Sequence, residues 1–143
     1  MAAASLPRMH RALSLLAAGL LAGLAFTACG KDDNSGSGKD DTKDLGKVTK
    51  ISGTKAGVEV LDNSFNDKAI QVKPGTKVAW RNDGQQDHDI VPVKDGSGFG
   101  VDASAFNAGD DYSYTFKTPG TYRYYCSLHG SADGGMVGAV IVK

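Results

Sequence analysis

From residue 47 to residue 143 no stretch of the chain sustains an apolar repeat of helical period. Apolar residues alternate with polar ones or come in short runs, and turn residues punctuate them at close intervals. Val58-Glu59-Val60-Leu61 alternates, and Ala69-Ile70-Gln71-Val72 runs into the turn Lys73-Pro74-Gly75-Thr76. Lys77-Val78-Ala79-Trp80-Arg81 puts Val78 and Trp80 on one face before Asn82-Asp83-Gly84 ends it. His88-Asp89-Ile90-Val91-Pro92-Val93 resumes, with Pro92 marking an edge or a bulge. Tyr112, Tyr114 and Phe116 share a face, Thr121 to Cys126 is aromatic, and Val137 to Val142 is the last run. The pattern predicts an all-β, Greek-key sandwich of seven to eight short antiparallel strands over residues 47–143. There are no internal repeats.

The chain ahead of that domain has a different character. Arg8, His10 and Arg11 give a positive start, Ala12 to Ala25 is apolar, and small residues Thr27 and Ala28 precede Cys29. This order is that of an export signal, and the apolar run is too short for a spanning helix. Ending on a cysteine, it resembles the lipobox of bacterial lipoproteins, with Phe26 where leucine is usual. The resemblance implies a signal peptide over 1–28 and a lipid on Cys29. Residues 30–46 carry one apolar side chain, Leu45, among Gly, Ser, Asp and Lys. Such a segment buries too little surface to offset its chain entropy, so 29–46 is expected to be a flexible tether.

Charge and cysteine usage narrow the function classes. Lys plus Arg and Asp plus Glu both number 16 in the whole chain, and no basic stripe exists for nucleic acid. The domain's single cysteine, Cys126, permits no internal disulfide. A lone thiol in an exported protein needs protection, and metal ligation supplies it.

Beyond residue 29 the chain has one cysteine, one methionine and two histidines. Cys126, His129 and Met136 lie within eleven residues, and His88 sits at an earlier junction of strand and loop. Taken singly, these are a small buried hydrophobe, an exposed loop residue, a core filler and a polar strand cap. Taken together, two histidines, a thiolate and a weak axial thioether are the ligand set of a blue-copper electron-transfer site. The soft sulfurs suit Cu(I) and the imidazoles keep Cu(II), so little rearrangement accompanies an electron. A structural zinc site more often pairs its cysteines and rarely uses methionine.

The stretches VKPGTKVAWRND, HDIV, GTYRYYCSLHG and GMVGAVIV make residues 58–143 similar to the cupredoxins, nearest to their plastocyanin and amicyanin branch. The resemblance implies one type 1 copper held by the Nδ1 atoms of His88 and His129 and by Cys126, with Met136 as the weak axial ligand. It implies that electrons pass through His129 in an exposed apolar patch, with Tyr125 as a second exit. It also implies that the Tyr122 hydroxyl pins a corner of the sandwich; ordinary core packing is the alternative. Two departures stand out. The family places methionine five residues after the second histidine, whereas seven separate them here, so residues 131–134 lengthen the ligand loop. Asp89 replaces an asparagine that ties the two ligand segments together. Asp89 is expected to take hydrogen bonds from the region of Ser127 and to lower the reduction potential. Asp83, Asp87 and Asp89 flank His88, either steering a basic partner or serving as turn and surface residues.

The expected function is therefore one-electron transfer by a monomeric, membrane-tethered copper protein facing a periplasm or the cell exterior, with unidentified redox partners and no enzymatic activity of its own. Copper delivery or buffering outside the cytoplasm is the alternative.

Overall fold

The computed structural model describes residues 42–143. The expected signal peptide, Cys29 and most of the tether lie outside the described residues. Among the described residues no helix is long and apolar enough to cross a membrane.

Among the described residues nine strands form two sheets: β1 (Val48–Lys50), β2 (Lys55–Leu61), β3 (Ser64–Asn66), β4 (Ala69–Val72), β5 (Thr76–Asn82), β6 (Val91–Pro92), β7 (Asp111–Phe116), β8 (Gly120–Ser131) and β9 (Gly134–Val142). One sheet has the order β1-β4-β9-β8-β6, the other β3-β2-β5-β7. A 3-10 turn, Ala103–Ala105, lies between β6 and β7. The all-β sandwich is as the pattern predicts, with one correction. The sheets are mixed, since β2 runs parallel to β5, and β4 runs parallel to both β1 and β9. The chain changes sheet after β1, β3, β4, β5, β6 and β7, so only β2–β3 and β8–β9 are consecutive strands paired as antiparallel neighbours.

Period two decides which side chains face inward. In β2 and β5 buried and more exposed residues alternate without a break, placing Val58, Val60, Val78 and Trp80 inside. Trp80 is the centre of the core. It meets Tyr124 edge to face with ring centroids 5.4 Å apart and stacks on Tyr112 at 5.5 Å, a geometry that brings opposite parts of the ring quadrupoles together. Tyr124 takes its place because Gly138 stands opposite it on β9. A Cβ at 138 would lie 2.5 Å from the Tyr124 Cζ, so only glycine leaves room for the ring. The Tyr122 hydroxyl donates to the Thr118 carbonyl (2.8 Å) while its ring packs on Phe116, so this residue both pins the corner and fills the core.

The ordered domain also begins earlier than the sequence implied. Leu45, placed above in the tether, is buried against Ala69, Val137, Ala139, Val48 and Tyr125. Its N–H closes a turn on the Thr42 carbonyl (3.0 Å), and Asp44 forms a two-pronged ion pair with Arg123 (2.9 and 2.6 Å). The outer face of β8 and β9 is apolar there, and one leucine on a short polar strap suffices to cover it.

Candidate metal centre

Both ligand-bearing segments end at the same edge of the sandwich. β8 and β9 make one hairpin whose pairing breaks after Tyr125–Val137 and resumes at Gly130–Gly135 and Ser131–Gly134. The irregular part holds Cys126 and His129 on one strand and Met136 on the other. The lengthened ligand loop is thus the paired tip of a hairpin, turned by Ala132 and Asp133. The second segment is fastened from the side. The His88 N–H donates to the Phe106 carbonyl (3.2 Å), and Ile90 and Val101 exchange backbone hydrogen bonds of 2.9 and 3.1 Å.

This framework brings three predicted ligands together. The Cys126 Sγ lies 3.5 Å from His88 Nδ1 and 3.4 Å from His129 Nδ1, and the three ligand atoms all fall within 4.8 Å of one another. Nitrogen and sulfur ligands about 2.0 to 2.3 Å from a common ion at a tetrahedral angle stand about 3.5 Å apart, so the spacing suits a first-row metal. Cys126 and His88 are fully buried and His129 is partly exposed. The His88 Nε2 is buried without a hydrogen-bond partner, so packing rather than hydrogen bonding orients this ring toward the sulfur. Met136 is buried in the same packed cluster as Cys126 and Ile90.

The electrostatics suit metal binding as well. Burial, with a smaller contribution from the nearby His129, holds the His88 imidazole below its ordinary range, leaving it neutral with a lone pair to donate. Burial also pushes the Cys126 thiol up, so the sulfur keeps its proton until a cation displaces it.

Asp89 lies where the sequence placed it. One carboxylate oxygen accepts the Ser127 N–H (2.7 Å) and the other accepts the Ser127 hydroxyl. A buried carboxylate therefore joins the segment after His88 to the segment after Cys126. Of the other two acids near His88, Asp83 pairs with Arg81 (2.8 Å) and Asp87 is exposed, which gives Asp83 and Asp89 structural work of their own. Tyr125 is half-buried, packed against the cluster of Leu45, Ala69, Val137 and Ala139, and Leu128 beside His129 is a large exposed apolar side chain.

Two residues near the centre escaped the sequence reading. Buried Asn82 donates to the carbonyls of Gln86 (2.8 Å) and Phe106 (3.3 Å) and accepts the Gly84 N–H (3.1 Å), fixing the loop ahead of His88. Gln86 presents its Oε1 to His129 Nε2 at 3.1 Å. Asn82 reads as a strand-ending turn residue and Gln86 as a solvated loop residue, since Phe106, which Asn82 also holds, and His129, which Gln86 faces, lie far off in sequence.

The comparisons with known proteins agree with the geometry. A profile of copper binding proteins of the plastocyanin/azurin family matches residues 52–143. A chloroplastic plastocyanin of Tetradesmus obliquus is 36% identical over 86 residues, 55% of this chain; the chain spans 58% of that relative's length. A purple cupredoxin from Nitrosopumilus maritimus superposes with a TM-score of 0.52 at 25% identity, covering 62% of this chain and 99% of that one. A copper-containing nitrite reductase from Thermus scotoductus reaches a TM-score of 0.53 at 29% identity over 62% of this chain but 22% of its own. With a strand sandwich, a His-Cys-His cluster at metal spacing and a profile match over most of its length, the chain belongs to the plastocyanin/azurin family of copper-binding cupredoxins.

Proposed function

We propose that this chain is a type 1 copper protein that carries single electrons outside the cytoplasm. His88, Cys126 and His129 would hold the metal, and Met136 would supply the weak axial thioether. Copper bound there would supply a one-electron couple. The ligand atoms of His88, Cys126 and His129 lie within 4.8 Å of one another, which supports a site where either oxidation state would find the same three ligands. The observation that carries the reading is the convergence of one buried thiol and two imidazole Nδ1 atoms at 3.4 and 3.5 Å. The partly exposed edge of His129, next to exposed Leu128, gives a redox partner its approach.

Export and a lipid on Cys29 complete the proposal. Leu45 and Asp44 anchor the tether's end on the β8–β9 face. The partners would be one electron donor and one acceptor, met by a monomer. The chain would catalyse no reaction alone. Among the described residues one cluster has metal-ligating spacing, and the only other histidine of the chain is His10.

Cu(II) added to the purified protein tests this. The expected result is an intense blue band from thiolate-to-copper charge transfer, lost in Cys126→Ser, with reversible voltammetry. Colourless, readily exchanged Cu(I) binding would favour copper delivery instead. No copper bound at all would overturn both readings.

A further inference from the structure

His88 and His129 face the same sulfur but are secured in different ways. His88 is buried, and the packed core around it fixes its ring. His129 is partly exposed near the hairpin tip, beside an exposed leucine, where packing holds a ring poorly. Among the described residues, the polar contact of its ring outside the metal cluster is Gln86 Oε1, 3.1 Å from Nε2. Gln86 is not a loose surface residue at its backbone. Its carbonyl accepts from buried Asn82 (2.8 Å), and the neighbouring Gln85 N–H donates to the Asp62 carboxylate (2.6 Å). The side chain therefore leaves from a loop fastened on both sides.

The chemistry of this contact has a direction. A neutral imidazole carries one N–H and one lone pair, and an amide oxygen only accepts. A proton on Nε2 satisfies Gln86 and leaves the Nδ1 lone pair facing the Cys126 sulfur, 3.4 Å away. The opposite tautomer would require the Gln86 amide to turn its NH2 group toward Nε2, away from the orientation in the structure, and would point a proton into the metal cluster. We propose that Gln86 is the positioning residue for the exposed ligand, selecting the Nε2–H tautomer of His129 and holding its ring so that Nδ1 is ready for copper. This deepens the blue-copper reading and rests on it for the identity of the metal. A hydrogen bond to the far nitrogen of a ligating histidine typically changes metal affinity about 10- to 100-fold.

The test compares the wild-type chain with Gln86→Met, which keeps length without an acceptor, and Gln86→Glu, which restores an acceptor. Gln86 is exposed, so neither change disturbs the core. Long-range proton–nitrogen NMR spectra of the copper-free full chain with labelled histidine report the tautomer directly. The wild type and Gln86→Glu are expected to show a single Nε2–H tautomer for His129, and Gln86→Met a mixture. A chelator competition should then show copper held about 10- to 100-fold more weakly by Gln86→Met and recovered in Gln86→Glu. An unchanged tautomer in Gln86→Met, or copper affinity equal to wild type, would overturn the proposal. If the wild type failed to take copper, the copper reading would fall while the NMR result still decided the role of Gln86.

Discussion

Gly130 is the narrowest point of the ligand hairpin, and alanine there is a sharp test of how rigidly the hairpin sets the site. It pairs with Gly135, one residue after His129 and six before Met136. A Cβ at 130 would stand 2.6 Å from the Gly134 oxygen, 2.7 Å from the Met136 nitrogen and 3.2 Å from the Gly135 carbonyl carbon. The shortest contact is about 0.8 Å inside the 3.4 Å at which ordinary contact begins, and all three atoms are backbone, so no rotamer change relieves them. The strands must part, carrying His129 away from Met136. Overpacking of this kind costs about 1 to 3 kcal/mol, or about 5- to 150-fold if the whole cost falls on copper binding. Gly134 is the matched control, because a Cβ there meets nothing within 4 Å. Chelator competition should show Gly130→Ala losing copper affinity within that range while Gly134→Ala stays within about 0.5 kcal/mol of wild type. Melting of the copper-free proteins separates lost binding from lost folding. If Gly130→Ala held copper like the wild type, or if Gly134→Ala were equally impaired, the hairpin would be a compliant loop and the argument from its geometry would fail.

Three further outcomes are expected. Asp89→Asn removes a buried negative charge near the copper ligands and should raise the reduction potential by on the order of 60 mV, a tenfold change in the Cu(I) to Cu(II) ratio; voltammetry showing no rise or a fall would refute the role given to Asp89. Leu45→Ala empties a covered apolar site and should cost about 2 to 3 kcal/mol, with a melting temperature lower by about 8 °C or more; an unchanged melt would mean that residues 42–45 are not part of the folded unit. The Arg123 guanidinium holds the Asp44 carboxyl below its ordinary value of 3.8. A depressed carboxylate stabilises above its unfolded value and ceases to as pH falls through its folded one, so the ion pair should hold the strap at neutral pH and lose that contribution, about 1 kcal/mol or less for an exposed pair, in acid. The Asp44 carboxyl resonance followed down to about pH 2 should titrate below the ordinary value in the wild type and return to it in Arg123→Gln, and an unchanged titration would contradict the pairing.

How much of this was written in the sequence depends on how far apart the interacting residues lie. Alternation along β2 and β5 is local, so the inward faces of Val58, Val60, Val78 and Trp80 were readable directly. Cys126, His129 and Met136 were readable as a cluster because eleven residues contain all three, and the chemistry of that mixture then demanded a partner such as His88. Strand direction was not readable, because the pairing of β2 with β5 depends on how the chain crosses between sheets. Leu45 was misjudged for a related reason. A lone leucine in a polar run looks solvated until Ala69, Val137 and Ala139 are known to leave a bare face for it. Gln86 and Asn82 carry no composition signal, and each acquires its meaning only when the fold brings its hydrogen-bond partners together.

The most direct measurement is diffraction at the copper absorption edge from crystals of the copper-loaded chain. The account predicts one strong anomalous peak, bonded to Cys126 Sγ and to the Nδ1 atoms of His88 and His129, with the Met136 thioether on its axial side. A peak elsewhere in the molecule, or one that leaves the Cys126 sulfur unbonded, would contradict it.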